Sequence, residues 1–112
     1  LTKYPNLKGI FAIDGTNASG AAAALQAKGL TGKIALVGYD AYPANVELIK
    51  SGVFTALIAQ DPAAEARLAI KTLVEYIKNG TTPSQKDVVI PNVTLDANTS
   101  DADFAKYTYV AK

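Results

Sequence analysis

Three short apolar runs, each ending on a polar residue and each followed by a stretch of helical character, constrain this chain more than any other feature. The first, Gly9-Ile10-Phe11-Ala12-Ile13, stops at Asp14-Gly15. The second, Lys33-Ile34-Ala35-Leu36-Val37-Gly38, stops at Tyr39-Asp40, and the third, Phe54-Thr55-Ala56-Leu57-Ile58-Ala59, stops at Gln60-Asp61-Pro62. Apolar runs of this length between turn residues are the pattern of buried parallel strands. Strand and helix in alternation imply βαβ crossovers, which are almost always right-handed. The expected class is α/β, a parallel sheet with helices on both faces.

The intervening segments supply the helices. Residues 17–28 are rich in alanine, with Thr16 or Asn17 available as N-cap, Gly29 just past the end, and Gly20 placed for close packing of helix on sheet. Pro43 suits the first position of a second helix that carries Val46, Leu48 and Ile49 on its apolar side and stops at Gly52. Over residues 62–79, Ala66, Ala69, Ile70, Leu73, Val74 and Ile77 fall at helical spacing, with Asp61 as cap and Gly80 as terminator. Beyond Gly80 the chain reads as a loop, then as an extended segment over residues 87–95 interrupted by Pro91, which favours an edge strand or a crossing between layers. Ser100 is placed to cap a short helix around Phe104.

A chain of 112 residues is one domain in size, and 49% hydrophobic with 19% charged residues is the composition of an ordinary globular protein. Eleven basic against ten acidic residues, with Arg67 the single arginine, leave no basic footprint for nucleic acid. The chain lacks cysteine and histidine, which removes thiolate chemistry, the side chain that most often moves protons near neutral pH, and the commonest metal ligand. Catalysis is left with few tools, and no cofactor is implied.

In open parallel sheets, ligands bind beyond the carboxyl ends of the strands. Those ends carry Asp14, Asp40 and Gln60. Carboxylates accept several hydrogen bonds and a glutamine amide both accepts and donates, so the set suits a neutral ligand with many hydroxyls, such as a sugar. Tyr39 and Tyr42 flank Asp40 and are candidates to stack on a sugar ring, and Asn45 is a further candidate cleft contact. The same residues also fit local roles: a turn at Asp14-Gly15, a loop start at Asp40, and a helix entry at residues 60–62. A metal site would need a third carboxylate at loop spacing, and the spacing of Asn17-Ala18-Ser19-Gly20 matches neither phosphate-binding glycine motif.

Taken together, three pieces resemble the ribose-, galactose- and related sugar-binding proteins of ABC importers. They are Ile10-Phe11-Ala12-Ile13-Asp14 before a small-residue helix, Val37-Gly38-Tyr39-Asp40 before Pro43 and Glu47-Leu48-Ile49-Lys50-Ser51-Gly52, and Ala56-Leu57-Ile58-Ala59-Gln60-Asp61-Pro62. The resemblance implies a two-lobed fold of the type 1 periplasmic binding class that closes on a monosaccharide without transforming it. It implies sugar contacts at Asp14, Asp40 and Gln60, with Tyr42 beside them, a membrane permease as partner, and a periplasmic or other extracytoplasmic location. Residues 1–60 would belong to the C-terminal lobe, and residues 61–80 would form a helix packed on the other lobe. Residues 81–112 would hold a hinge crossing and a tail. The chain would then be a fragment whose partner is the missing N-terminal lobe or a second copy of itself. The sugar-responsive domain of a LacI-type repressor resembles the same fold and is the alternative.

Overall fold

The computed structural model describes residues 1–110; residues 111 and 112, the end of the expected tail, lie outside the described residues. The apolar runs form β1 (Gly9–Phe11), β2 (Ala35–Tyr39) and β3 (Ala56–Ala59), separated by α1 (Gly15–Ala27) and α2 (Pro43–Lys50). After them come α3 (Pro62–Asn79), β4 (Val93–Asp96) and α4 (Asp101–Tyr107). The strands make one four-stranded sheet in the order β1-β2-β3-β4. β1 with β2 and β2 with β3 are parallel, while β4 runs antiparallel to β3 along the edge. Pro91 precedes β4 and stays outside its ladder, so the missing N–H leaves no gap in the sheet.

The chain divides into two compact units, one of Leu1–Ala59 with the chain from Val93 onward, the other Gln60–Asn92. The first holds the core. Register places Ile10 beside Leu36, Gly38 beside Leu57, and Leu57 beside Leu95, so these residues share one face of the sheet. Ala18, Ala22 and Leu25 of α1, Val46 and Ile49 of α2, and Phe104 of α4 complete a single buried cluster with Leu36, Leu57 and Leu95. On the opposite face Phe11 is exposed and Val37 and Ile58 are half-buried.

Close helix-to-sheet approach depends on Gly38, not on Gly20. A Cβ on Gly38 would lie 2.8 Å from the side chains of Leu57 and Phe54 and 3.0 Å from Cβ of Ala18, whereas a Cβ on Gly20 would meet nothing within 4 Å. Gly20 faces away from the sheet because Ala18, Ala22 and Leu25, spaced at i, i+4 and i+7, define the buried side and Gly20 stands two positions from the nearest of them. The cap of α1 also differs from expectation. Asp14, in extended conformation, accepts from the Asn17 backbone N–H and starts the helix two residues early. An aspartate is as good a cap as threonine or asparagine, and its backbone is already extended as it leaves β1.

Within the second unit, the Asp61 carboxylate accepts from the Ala64 N–H at 2.8 Å, and Gly80, with φ of 63°, closes α3 by donating to the Tyr76 carbonyl. None of the eighteen residues of α3 is buried, and Ile70, Leu73, Val74 and Ile77 all stand exposed. Among the described residues, no helix is long and apolar enough to cross a membrane.

The two glycines make a paired test of this packing. Gly38→Ala is expected to destabilise the fold by about 1–3 kcal/mol, the usual cost of overpacking a filled core. Gly20→Ala is expected to be stabilising by about 0.5–1 kcal/mol, since it raises helix propensity where nothing obstructs the methyl group. Urea denaturation of both variants measures the difference.

Candidate functional site

The carboxyl ends of β1 and β2 meet around the peptide of Gly15. β1 hands over to α1 through Ala12, whose N–H donates to the Val37 carbonyl at 2.9 Å, and through Asp14, whose extended backbone turns the chain into the helix. The Asp14 carboxylate binds Asn17 twice, taking its backbone N–H at 2.8 Å on Oδ1 and its side-chain amide on Oδ2. Each oxygen keeps a second lone pair for a ligand hydroxyl.

Asp40 ends β2 with φ of 68°, a left-handed conformation that few side chains tolerate and that aspartate accepts more readily than most. Its N–H still donates to the Ile58 carbonyl at 3.0 Å, so the residue is bound to the sheet while its side chain is turned by the backbone toward α1. There Oδ2 accepts the Gly15 N–H at 3.2 Å. Asp14 and Asp40 are therefore tied through adjacent atoms of one chain segment, and both are half-buried.

Tyr42 forms the third side. It is the N-cap residue of α2, in extended conformation and without a side-chain cap bond, so its ring is free of duty to its own helix. The ring lies where a side chain at position 15 would go: a Cβ on Gly15 would fall 2.2 Å from Cε2 of Tyr42. Tyr109 meets the same ring edge-on, with centroids 6.0 Å apart at 74°, and its N–H donates to the Ala41 carbonyl at 2.9 Å. The chain after α4 thereby returns to the loop between β2 and α2.

Asp14, Asp40 and Tyr42 are thus brought together in the first unit. Gln60 follows β3 directly, is half-buried, and belongs to the Gln60–Asn92 unit. Asn45 does not stand as a cleft contact. It is 1% exposed, donates from Nδ2 to the Gly15 carbonyl at 3.3 Å and accepts from the Ser19 hydroxyl at 2.9 Å. Position in the chain hides this, because Asn45 lies one turn into α2 next to the core residue Val46, and only the packing of α2 beside α1 turns its amide inward. Gly15 and Tyr109 escaped the sequence reading too: the first looks like an ordinary turn glycine and the second lies far from the loop it joins. Among the described residues, no group of three or more acidic side chains is placed to hold a metal ion. A groove of about 640 Å³ lies elsewhere, within the second unit, between α3 and the segment that follows it, lined by Leu68, Leu73, Tyr76, Val88 and Ile90.

Residues 1–82 match the family model described as periplasmic binding protein domain. The D-allose-binding periplasmic protein of Escherichia coli K12 is 36% identical over 80 residues, covering 71% of this chain and 26% of that protein. The D-ribose/D-allose-binding protein of Pseudomonas aeruginosa is 32% identical over 90 residues, covering 80% of this chain and 28% of that one. Among solved structures, an ABC transporter periplasmic solute binding protein from Actinobacillus succinogenes with bound D-allose superposes with a TM-score of 0.77 at 32% identity, over 87% of this chain and 33% of that chain. The chain belongs to the periplasmic binding protein domain family and has its fold. This is a family of binding proteins, not enzymes. The chain spans about a quarter of the length of the curated relatives it matches.

Two comparisons separate the roles of these residues. Asp14→Asn keeps the helix cap and is expected to change stability by less than about 0.5 kcal/mol, while Asp14→Ala is expected to cost about 1 kcal/mol. Gly15→Ala must displace the Tyr42 ring from its edge contact, so a double-mutant cycle with Tyr42→Ala is expected to show coupling of about 0.5–1.5 kcal/mol. Both are read by denaturant titration.

Proposed function

We propose that this chain is part of the solute-binding component of an ABC importer, which holds a monosaccharide between two lobes and releases it unchanged to a membrane permease. The carrying observation is the Asp40 carboxylate, set by its left-handed backbone against the N–H of Gly15, the residue that follows Asp14 and lies against the Tyr42 ring, at the carboxyl ends of the parallel strands. Two acceptor-rich groups next to an aromatic face suit a polyhydroxylated ring: the carboxylates take its hydroxyl protons and the ring covers its C–H face. On this reading Asp14, Asp40 and Tyr42 contact the sugar, and Gln60 supplies a further amide contact.

The sugar class follows from the relatives, whose names specify D-allose and D-ribose. Those names also favour transport over the repressor alternative, and a periplasmic location with them. Because the chain covers 26% and 28% of these relatives, the N-terminal lobe is the natural cover for the apolar stripe of α3, with residues 61–80 contributed to that lobe and residues 81–112 returning from it.

Asp40→Ala is expected to weaken binding of the bound sugar by about 2 kcal/mol or more, because buried ligand hydroxyls lose a charged acceptor. Titration calorimetry on the intact two-lobed protein measures it, and an unchanged affinity removes Asp40 from the site.

A further inference from the structure

We propose that Asn45, assisted by Ser19, is a positioning residue for sugar recognition: it holds the Gly15 peptide so that the neighbouring N–H fixes the Asp40 carboxylate. This rests on the reading of Asp14 and Asp40 as sugar contacts.

Gly15 is held from three directions. Its N–H goes to Asp40 Oδ2 at 3.2 Å, its carbonyl accepts from Asn45 Nδ2 at 3.3 Å, and its Cα lies under the Tyr42 ring, which leaves no room for a side chain. A side chain there would have to displace the Tyr42 ring, and glycine is the residue with the softest backbone. Gly15 opens α1, where the helix holds it from one side, and Asn45 is placed to add a restraint from α2.

Asn45 is otherwise hard to account for. It is the one buried polar residue among those described, at 1% exposure, flanked by the core residue Val46 and one turn before Ile49. An apolar side chain would fill such a position without the desolvation cost of an amide. Both of its polar ends instead serve the start of α1: Nδ2 donates to the Gly15 carbonyl, and Oδ1 accepts from the Ser19 hydroxyl at 2.9 Å. Ser19 Oγ also lies 2.8 Å from the Gly15 carbonyl, and its single proton is shared between the two acceptors. The result is a small closed network that is directional where hydrophobic contact is not. It joins α2 to the first turn of α1 directly behind the two carboxylates, and a carboxylate whose rotamer is set before the sugar arrives loses less freedom on binding.

The test uses the intact two-lobed protein with D-ribose and D-allose as probes, titrated by calorimetry at a temperature where every variant is folded. Asn45→Leu keeps the volume and removes both hydrogen bonds. The dissociation constant is expected to rise roughly tenfold, and amide hydrogen exchange at Gly15 to accelerate while that of Leu36 and Leu57 stays as in the parent. Ser19→Ala, which keeps the bond from Asn45 to Gly15, is expected to raise the constant only about two- to threefold. A purely structural Asn45 would lower the melting temperature and leave the affinity of the folded molecule untouched. Parental affinity in folded Asn45→Leu overturns the inference, as does a loss of affinity with Gly15 exchange unchanged. Should Asn45→Leu fail to fold, Ser19→Ala decides: parental affinity there overturns it. A parent that binds neither sugar overturns the assignment of D-ribose or D-allose as its ligand, a result visible before any variant is made.

Discussion

The close seat of α1 on the sheet at Gly38 is the constraint from which the rest of this arrangement follows. With no side chain at position 38, Ala18 comes to the distance at which a Cβ would stand 3.0 Å away, and α1 settles onto Leu36 and Leu57. A helix seated there has its N-terminus beside the end of β2, and that is what lets the Gly15 N–H reach Asp40. Had α1 ridden higher on a larger side chain, Asp14 and Asp40 would belong to separate loops.

From that seat the site is assembled by exclusion as much as by attraction. Gly15 carries no side chain, Tyr42 fills the vacated space, and Tyr109 braces Tyr42 from the far end of the chain. The polar groups are then distributed around one residue, Gly15: Asp40 at its N–H, Asn45 and Ser19 at its carbonyl. Asp14 serves the helix and the site at once, because a carboxylate that caps a helix with one lone pair on each oxygen still offers another to a ligand. The fold belongs to a binding family, and this end of the sheet brings together hydrogen-bond acceptors and an aromatic side chain.

The sequence and the structure agree where the chain speaks locally. Three apolar runs became β1, β2 and β3, Pro43 opened α2, Asp61 and Gly80 bounded α3, and Ser100 capped α4. Each of these depends on residues within a turn or two of one another, on propensity, capping and period. Asp40 could be singled out for the same reason, since the end of a parallel strand is a position in the chain. The start of α1 was missed because Thr16 and Asn17 are also good caps, and only the extended backbone leaving β1 gives Asp14 the role.

By itself, then, the sequence determined the class of fold, the order of its elements, the two carboxylates at the strand ends and, through the order and spacing of its motifs, the family. Tertiary structure alone decided that Gly38 and not Gly20 takes the helix contact, that Asn45 faces the Gly15 carbonyl and not solvent, and that Tyr109 reaches Tyr42 across 67 positions of chain. The reason is physical: strand and helix follow from interactions between near neighbours, whose identities are written side by side. Which side of a helix is buried against which small residue, and which amide finds which carbonyl, depends on how separate elements pack.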